Sequence, residues 1–184
     1  MRQPPRIETR RLLLRPLTPR DARDVQRLAG DREVADTLRI PYPYAERAAK
    51  KWISTLRPDY AAGKSVALAI TLRATGELIG TVNLGITPKY DLAKLGFWVG
   101  KPYWNQGFCT EAGRAMLAYA FTELGLNRVH ASHVPRNQAS GRVLEKLGMR
   151  REGVARQHTK RRGEYEDLLL YGILKEEWRA QDCV

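Results

Sequence analysis

The segment YWNQGFCTEAGRAMLAYAF, which begins at Tyr103, leads from aromatic loop residues through Gly107 into a helical pattern. One face of that predicted helix carries Ala112, Ala115, Met116, Tyr119 and Ala120. The first amides of a helix have no partner within it, and a glycine lets an anion approach them closely. The segment is therefore typical of a phosphate-binding loop or of a tight turn. It lacks GxGxxG and GxxxxGK[ST], which argues against dinucleotide and P-loop sites.

A second motif, NQASGRVLEKLGM, carries the signals of a capped helix. Asn137 is a preferred N-cap residue, and Gly148 suits the left-handed end of a helix. One face of this helix is expected to be apolar and carries Ala139, Val143, Leu144 and Leu147. The motif predicts a short amphipathic helix with a defined start and end.

The charge of the chain is strongly positive and unevenly distributed. The net charge is +12 and the isoelectric point is near 10.0. Two basic clusters consist of Arg2, Arg6, Arg10, Arg11 and Arg15, and of Arg150, Arg151, Arg156, Lys160, Arg161 and Arg162. These clusters fit phosphorylated ligands or polyanions, and they fit an ordinary basic surface equally well. No zinc-finger spacing, RNP-like aromatic motif or helix-turn-helix accompanies them, so charge alone names no partner.

The elements that must position these motifs alternate between strand and helix patterns. RLLLRPL from Arg11, SVALAITLR, GELIGTVNLGI and AKLGFWVG are predicted strands, and the second and third form an antiparallel pair around ATG. Thr18-Pro19 opens a helix that buries Ala22, Val25, Leu28 and Ala29, and YAERAAKKWISTLRPDYA predicts another helix. RVHASHV and the segments around MRREGVARQ and YEDLLLYGIL are further strands. The order predicts one mixed α/β domain spanning residues 1–184.

The hydropathy pattern and the cysteine content both indicate the same cellular compartment. No run of about 18 apolar residues predicts a membrane span, and the N-terminus lacks the apolar middle of a secretory signal. Cys109 and Cys183 are far apart and have no paired metal-ligand spacing, so neither a disulfide framework nor a metal site is predicted. We therefore expect a cytoplasmic protein without a metal.

Four segments together resemble one family. LGFWVGKPYWNQGFCTEAGRAML, NRVHASHVPRNQASGRVLEKLGMRREG and YEDLLLYGILKEEW, with the opening IETRRLLLRPLTPRDA, resemble the GNAT superfamily and, within it, the ribosomal-protein N-terminal (Rim-type) acetyltransferases. The resemblance covers nearly the whole chain. It implies an α/β (α+β) fold, with a mixed, mostly antiparallel central sheet flanked by helices and a splay between two central strands. It also implies acetyl-CoA as cosubstrate and acetyl transfer to an amine.

The resemblance also implies roles for individual residues. The pyrophosphate would lie on the backbone of a loop that consists of Asn105, Gln106, Gly107, Phe108, Cys109 and Thr110. The pantetheine arm would lie between the splayed strands, along Phe97, Trp98 and Val99, whose amides could also contact the developing oxyanion. Asn137 would contact the pantetheine. Many family members use a tyrosine as proton donor where this chain has Leu144, so Ser140 is the candidate catalytic residue, with solvent as the alternative donor.

The chain departs from the family pattern at other positions. Trp104 and Cys109 replace the first and last residues of Q/R-x-x-G-x-G/A, although binding by backbone amides tolerates both. Cys109 fits a small buried residue better than a nucleophile for a covalent acetyl-cysteine route. Lys94 stands where related sequences often place a glutamate. Among His130, His133, Glu111 and Glu145, His133 is the best candidate base, although a structural histidine is the simpler interpretation.

The missing base bears on the acceptor. At pH 7 an α-amine with a pKa near 7.7–8.0 is about one tenth neutral, whereas a lysine near 10.4 is neutral about once in two thousand. This favours a protein N-terminus as acceptor. Small-molecule amines, a non-catalytic acyl-CoA-binding role and RNA binding remain as alternatives. A ribosome or RNA contact through the basic clusters and a monomeric or homodimeric state are further expectations.

Overall fold

The computed structural model describes residues 3–38, 40, 42–161 and 163–181. Its centre is one eight-stranded sheet in the order β1-β2-β3-β4-β5-β6-β8-β7. The strands are β1 Ile7–Glu8, β2 Leu12–Pro16, β3 Ser65–Leu72, β4 Leu78–Thr87, β5 Leu92–Val99, β6 Arg128–His133, β7 Arg150–Arg161 and β8 Glu164–Leu174. All neighbouring pairs are antiparallel except β5 and β6, which are parallel. The mixed, mostly antiparallel sheet confirms the expected fold class.

The described residues form six α-helices beside the sheet. They are α1 Ala22–Ala29, α2 Arg32–Leu38, α3 Glu46–Ala61, α4 Phe108–Thr122, α5 Gln138–Lys146 and α6 Lys175–Gln181. Helices α4 and α5 pack against one face of the sheet, where residues such as Leu68 and Ile70 are fully buried. Helices α1 and α3 pack against the other face, where Ala69 is buried. Because neighbouring strand residues point to opposite faces, β3 contributes to both cores.

The predicted helix faces are largely correct. Ala22, Val25, Leu28 and Ala29 are buried on α1. Helix α4 buries Ala112, Met116 and Ala120, while Ala115 and Tyr119 are half-buried at the edge of that face. The prediction for α5 is wrong at one position, because Ala139 is exposed, whereas Leu144 is buried as predicted and Gly141 is buried beside it. The first turn of α5 therefore points toward solvent, and only the later turns reach the core.

Asp21 fixes the start of α1. Its carboxylate accepts hydrogen bonds from Arg15 Nη2 at 2.7 Å and Arg15 Nη1 at 2.9 Å, and from the Thr18 amide at 2.7 Å. Burial raises the pKa of Asp21, but these hydrogen bonds outweigh burial and lower the pKa overall. The contact joins β2 to the helix, so an arginine of the first basic cluster is used for folding.

Candidate functional site

The central feature of the sheet is a gap between its two parallel strands. Strand β5 pairs with β6 only at Leu92, Ala93 and Lys94. Beyond that point β5 continues to Val99 without β6 alongside, although β6 itself continues to His133 and pairs with β8. The two strands therefore separate after Lys94, and the edge of β5 from residue 95 onward is open. This is the splay that the family resemblance implied.

The open edge presents defined backbone groups. The Gly100 amide donates to Ile79 O of β4 at 2.9 Å. Peptide groups of successive residues in a strand point to opposite sides, so those of Val99 and Phe97 point away from β4 and into the gap. The carbonyl of Val99 accepts a hydrogen bond from Trp104 Nε1 at 2.9 Å. The amides of Phe97 and Val99 are therefore donors at this edge.

Trp104 thereby has a specific structural task. Its indole ties the loop that follows β5 to the last residue of that strand. The side chain replaces the glutamine or arginine of the family pattern, and it holds the chain where the loop begins. The presence of Trp104 in place of glutamine or arginine therefore preserves an ordered loop.

The loop between Trp104 and α4 has an unusual backbone. Asn105 and Gly107 have positive φ values of 59° and 79°, respectively. Gly107 is the N-cap residue of α4, and it has no side chain to satisfy the first amides of the helix. The first intrahelical bond of α4 runs from the Glu111 amide to Gly107 O at 3.0 Å. The amides at the start of α4 consequently face the loop as free donors at the positive end of the helix dipole.

The predicted residues line one common cavity. This cavity of about 660 Å³ lies between the β5 edge, the loop before α4 and the start of α5. Ten of the eleven predicted site residues contribute to it, namely Phe97, Trp98, Val99, Asn105, Gly107, Phe108, Cys109, Thr110, Asn137 and Ser140. Gln106 does not line it, because its side chain donates to Pro102 O at 2.9 Å. Gln106 therefore helps to shape the loop through its backbone, while its side chain points away from the cavity.

The start of α5 is capped as expected. Asn137 Oδ1 accepts a hydrogen bond from the Ser140 amide at 3.2 Å. Since that bond uses the carboxamide oxygen, the amide nitrogen of Asn137 remains available as a donor. The half-buried Ser140 lies in the first helical turn. Gly148 ends this region with φ of 75°, which confirms the predicted left-handed position.

Helix α2 forms a fourth wall of the cavity that no sequence pattern predicted. Helix α2 contributes Glu33, Val34, Asp36 and Thr37. Glu33 forms an ion pair with Lys101, and Asp36 Oδ1 contacts Arg161 Nη2 at 2.9 Å. These carboxylates bring negative charge to the cavity, but both are engaged by cations. The short, mostly polar pattern of α2 explains why periodicity alone could not place it.

The surroundings of Cys109 disfavour its thiolate. Burial raises the pKa of its thiol to about 12. A thiolate is the nucleophilic form of cysteine, so this environment does not activate the residue. The result agrees with interpreting Cys109 as a small packing residue.

The candidate bases are dispersed. His133 is buried, its Nδ1 lies 2.9 Å from Val134 O, and its ring packs against Tyr171 at a centroid distance of 5.5 Å. His130 lies opposite Lys94 at the last paired position before the splay. Burial, followed by the charges of Lys94 and Arg128, lowers the pKa of His130. Neither histidine lines the cavity that contains Ser140.

Glu111 is also committed to contacts of its own. It accepts hydrogen bonds from Thr9 Oγ1 at 2.7 Å, from the Arg11 amide at 2.8 Å and from Arg11 Nε at 2.7 Å. Burial raises the pKa of Glu111, but these bonds outweigh burial and lower it overall. The sequence did not link Arg11 with Glu111, since the two are far apart along the chain.

The two basic clusters are partly neutralised by ion pairs. Arg11, Arg15, Arg150 and Arg161 contact Glu111, Asp21, Glu177 and Asp36, respectively. Exposed members of the clusters are Arg6, Arg10, Arg150, Arg151, Arg156 and Lys160. Arg2, Arg162 and Cys183 lie outside the described residues. The two clusters therefore offer fewer unpaired positive charges than the sequence indicates.

Two kinds of feature are absent from the described residues. No helix in that part of the chain is both long and apolar enough to span a membrane. Across the same residues, no group of three or more histidine, cysteine, aspartate or glutamate side chains is arranged to hold a metal ion.

Comparison with known proteins places this geometry in a family. The acetyltransferase (GNAT) domain family matches residues 11–150. The chain is 32% identical over 172 residues to YoaA of Bacillus subtilis (strain 168), an uncharacterized N-acetyltransferase, with 93% of this chain and 97% of YoaA covered. It is 27% identical over 104 residues to the [ribosomal protein uS5]-alanine N-acetyltransferase of Escherichia coli (strain K12), with 55% and 54% covered.

A solved structure supports the same assignment. Mycobacterium smegmatis RimJ in complex with CoA-disulfide superimposes with a TM-score of 0.80 and 25% identity, covering 93% of this chain and 89% of RimJ. The family match, the nearly full-length similarity to YoaA and the splayed sheet agree with one another. The chain therefore belongs to the GNAT family, whose members transfer an acetyl group from acetyl-CoA to an amine.

Proposed function

We propose that this enzyme acetylates the α-amine at the N-terminus of a protein, with ribosomal proteins as the favoured class of acceptor. The observation that carries the choice of amine is the charge state of the cavity. Its two described carboxylates, Glu33 and Asp36, both contact cations, so neither is a free base. An acceptor that is already partly neutral at pH 7 needs no strong base, and an α-amine meets that condition.

The described residues fit acetyl-CoA as the acetyl donor. Gly107 keeps the loop clear of a side chain, and the amides at the start of α4 offer donors to a pyrophosphate. The open edge of β5 offers the amides of Phe97 and Val99 to the pantetheine arm and to the thioester oxygen. The free amide nitrogen of Asn137 supplies a further donor at the other side of the gap.

The chemical step requires few groups. The neutral amine nitrogen attacks the thioester carbon, the carbon–sulfur bond breaks, and the amine proton passes to solvent. The amides of the β5 edge stabilise the negative charge that develops on the carbonyl oxygen. The departing sulfur takes a proton from the Ser140 hydroxyl, which solvent then restores. A thiol with a pKa near 8.5 is already an adequate leaving group, so this donor accelerates the step rather than making it feasible.

The ribosomal acceptor class is supported by similarity and by charge. The relative from Escherichia coli is named for alanine acetylation of ribosomal protein uS5. Exposed Arg151, Arg156 and Lys160 lie along β7, where they could contact RNA phosphates near such a substrate. Binding to ribosomal particles should accordingly weaken steeply with salt.

Two peptides of the same sequence test the proposal. One has a free N-terminus and a blocked lysine, and the other has an acetylated N-terminus and a free lysine. With acetyl-CoA, release of free thiol at pH 7 should be about a hundredfold faster with the first peptide, following the neutral fractions of the two amines. Comparable rates would contradict an α-amine acceptor. Turnover only of polyamines or aminoglycosides, added as parallel samples, would reassign the acceptor to a small molecule.

A further inference from the structure

Arg11 lies beside the loop that precedes α4, although it comes from the turn between β1 and β2. Its Nη1 donates to Gln106 O at 2.9 Å. Its guanidinium carbon lies 4.5 Å from the centroid of the Phe108 ring. The arginine therefore contacts the loop on both sides of Gly107, through the carbonyl before it and the aromatic ring after it.

Hydrogen bonds to Glu111 hold the side chain of Arg11 in this position. Its Nε donates to Glu111 Oε2 at 2.7 Å, and its amide donates to Glu111 Oε1 at 2.8 Å. Thr9 Oγ1 donates to the same Oε1 at 2.7 Å. With both carboxylate oxygens engaged, Glu111 acts as a fixed support for the guanidinium. An arginine immobilised in this way loses little further entropy when it binds a ligand.

One edge of the guanidinium is left unused. Nε and Nη1 contact Glu111 and Gln106, whereas Nη2 has no hydrogen-bond partner among the residues that the structure describes. A Cβ added to Gly107 would lie 3.5 Å from this Nη2. Nη2 therefore lies beside the space that the glycine keeps open, next to the free amides of α4.

Arg11 also lies where the cavity meets a neighbouring groove. Gly107, Thr110 and Lys146 line both the cavity of about 660 Å³ and a neighbouring groove of about 1080 Å³. Arg11 lines the groove at that shared boundary. A ligand that passes from the β5 edge over the start of α4 would meet the guanidinium there.

We propose that Arg11 is a cofactor-binding residue whose Nη2 donates hydrogen bonds to the pyrophosphate of acetyl-CoA beside Gly107, while Glu111 and Thr9 hold the guanidinium in place. The inference rests on the acetyl-CoA site described under the proposed function. Guanidinium and phosphate form charge-assisted hydrogen bonds, which are stronger than bonds between neutral groups. Arg11 thus adds a side-chain contact to a site that otherwise uses backbone amides.

Three acetyl donors separate this role from others. Acetyl-CoA carries the pyrophosphate and the 3′-phosphate, acetyl-dephospho-CoA keeps only the pyrophosphate, and acetyl-pantetheine lacks both. Arg11→Met should lower kcat/KM for the first two donors by about ten- to a hundredfold, mainly through KM. With acetyl-pantetheine, kcat/KM should stay within about twofold of the unmodified protein, because the lost contact has no counterpart in that donor.

Two further variants serve as controls. Arg20→Met removes an exposed arginine that lines neither cavity, and with it the same charge, so it should change kcat/KM for every donor by no more than about twofold. Arg11→Lys keeps the charge but cannot bind Glu111 and a phosphate through one planar group, so its loss should be intermediate. Thermal denaturation without ligand checks that each variant is folded.

The outcomes distinguish the inference from the proposed function. An equal loss with all three donors would show that Arg11 only shapes the loop. A loss confined to acetyl-CoA would assign Arg11 to the 3′-phosphate, and no loss at all would remove it from the site. Each of these results overturns the inference but leaves the proposed function intact. Failure of the unmodified protein to use acetyl-CoA would overturn both.

Discussion

Replacing Gly107 by glutamate should abolish the stabilisation of this protein by acetyl-CoA. Gly107 has φ of 79°, a conformation in which a side chain costs about 1–2 kcal/mol. A Cβ at this position would meet only Arg11 Nη2, at 3.5 Å, so the fold has room for the side chain. The new carboxylate would instead lie in the space proposed for the pyrophosphate, and like charges would repel.

The size of the lost effect follows from binding linkage. A ligand at one hundred times its Kd stabilises the folded state by about 2.7 kcal/mol. For a chain of 184 residues, each kcal/mol corresponds to about 2–4 °C in Tm. Acetyl-CoA should therefore raise the Tm of the unmodified protein by about 5–10 °C, and the Tm of Gly107→Glu by less than about 1 °C.

Gly76→Glu is the matched control for this experiment. Gly76 lies in the turn between β3 and β4 with φ of 73°, and an added Cβ there meets no heavy atom within 4 Å. The two variants share the backbone strain and the added charge, and they differ in their distance from the cavity. Thermal denaturation with and without acetyl-CoA compares them directly. An equal ligand-induced shift in both variants would refute the placement of the pyrophosphate at Gly107.

Three further predictions concern catalysis, reactivity and stability. Ser140→Ala should lower kcat about tenfold with little change in KM for acetyl-CoA, and steady-state kinetics that show only a KM effect would make Ser140 a cofactor contact. In a Cys183→Ser background, Cys109 should react with iodoacetamide about a thousandfold more slowly than free cysteine at pH 7.5, because burial raises its pKa to about 12; reaction at the rate of free cysteine would contradict that environment. Asp21→Asn should reduce the free energy of unfolding in urea by about 2–4 kcal/mol at pH 7. Because the folded pKa of Asp21 is lowered, this difference should persist down to about pH 3.9 and vanish as the pH falls further, whereas a pH-independent difference would exclude the charged contact.

Local signals predicted the elements that carry the site. Gly107 before an apolar helical pattern located the start of α4, and the cap at Asn137 and the glycine at position 148 located both ends of α5. Alternation and the ATG turn predicted the pairing of β3 with β4. These features depend on residues close together in the chain, which is why periodicity and capping chemistry could find them.

Contacts between distant residues were not predictable in the same way. The bonds from Thr9 and Arg11 to Glu111 join positions about one hundred residues apart, and in the sequence Arg11 was only one member of a basic cluster. Helix α2 has just seven residues and two buried side chains, Val34 and Ala35, so its pattern was too short to identify. The wall of the cavity that α2 forms therefore emerged only from the fold.

The most direct test of an α-amine acceptor uses one peptide that carries both a free N-terminus and a free lysine. The peptide is incubated with the enzyme and acetyl-CoA at pH 7, and fragmentation in a mass spectrometer locates the first acetyl group. We predict acetylation of the α-amine in at least about 99% of singly modified molecules, from the ratio of neutral fractions. Acetylation mainly at lysine would show that the cavity supplies a base or a recognition contact for that side chain, and it would contradict the proposed function.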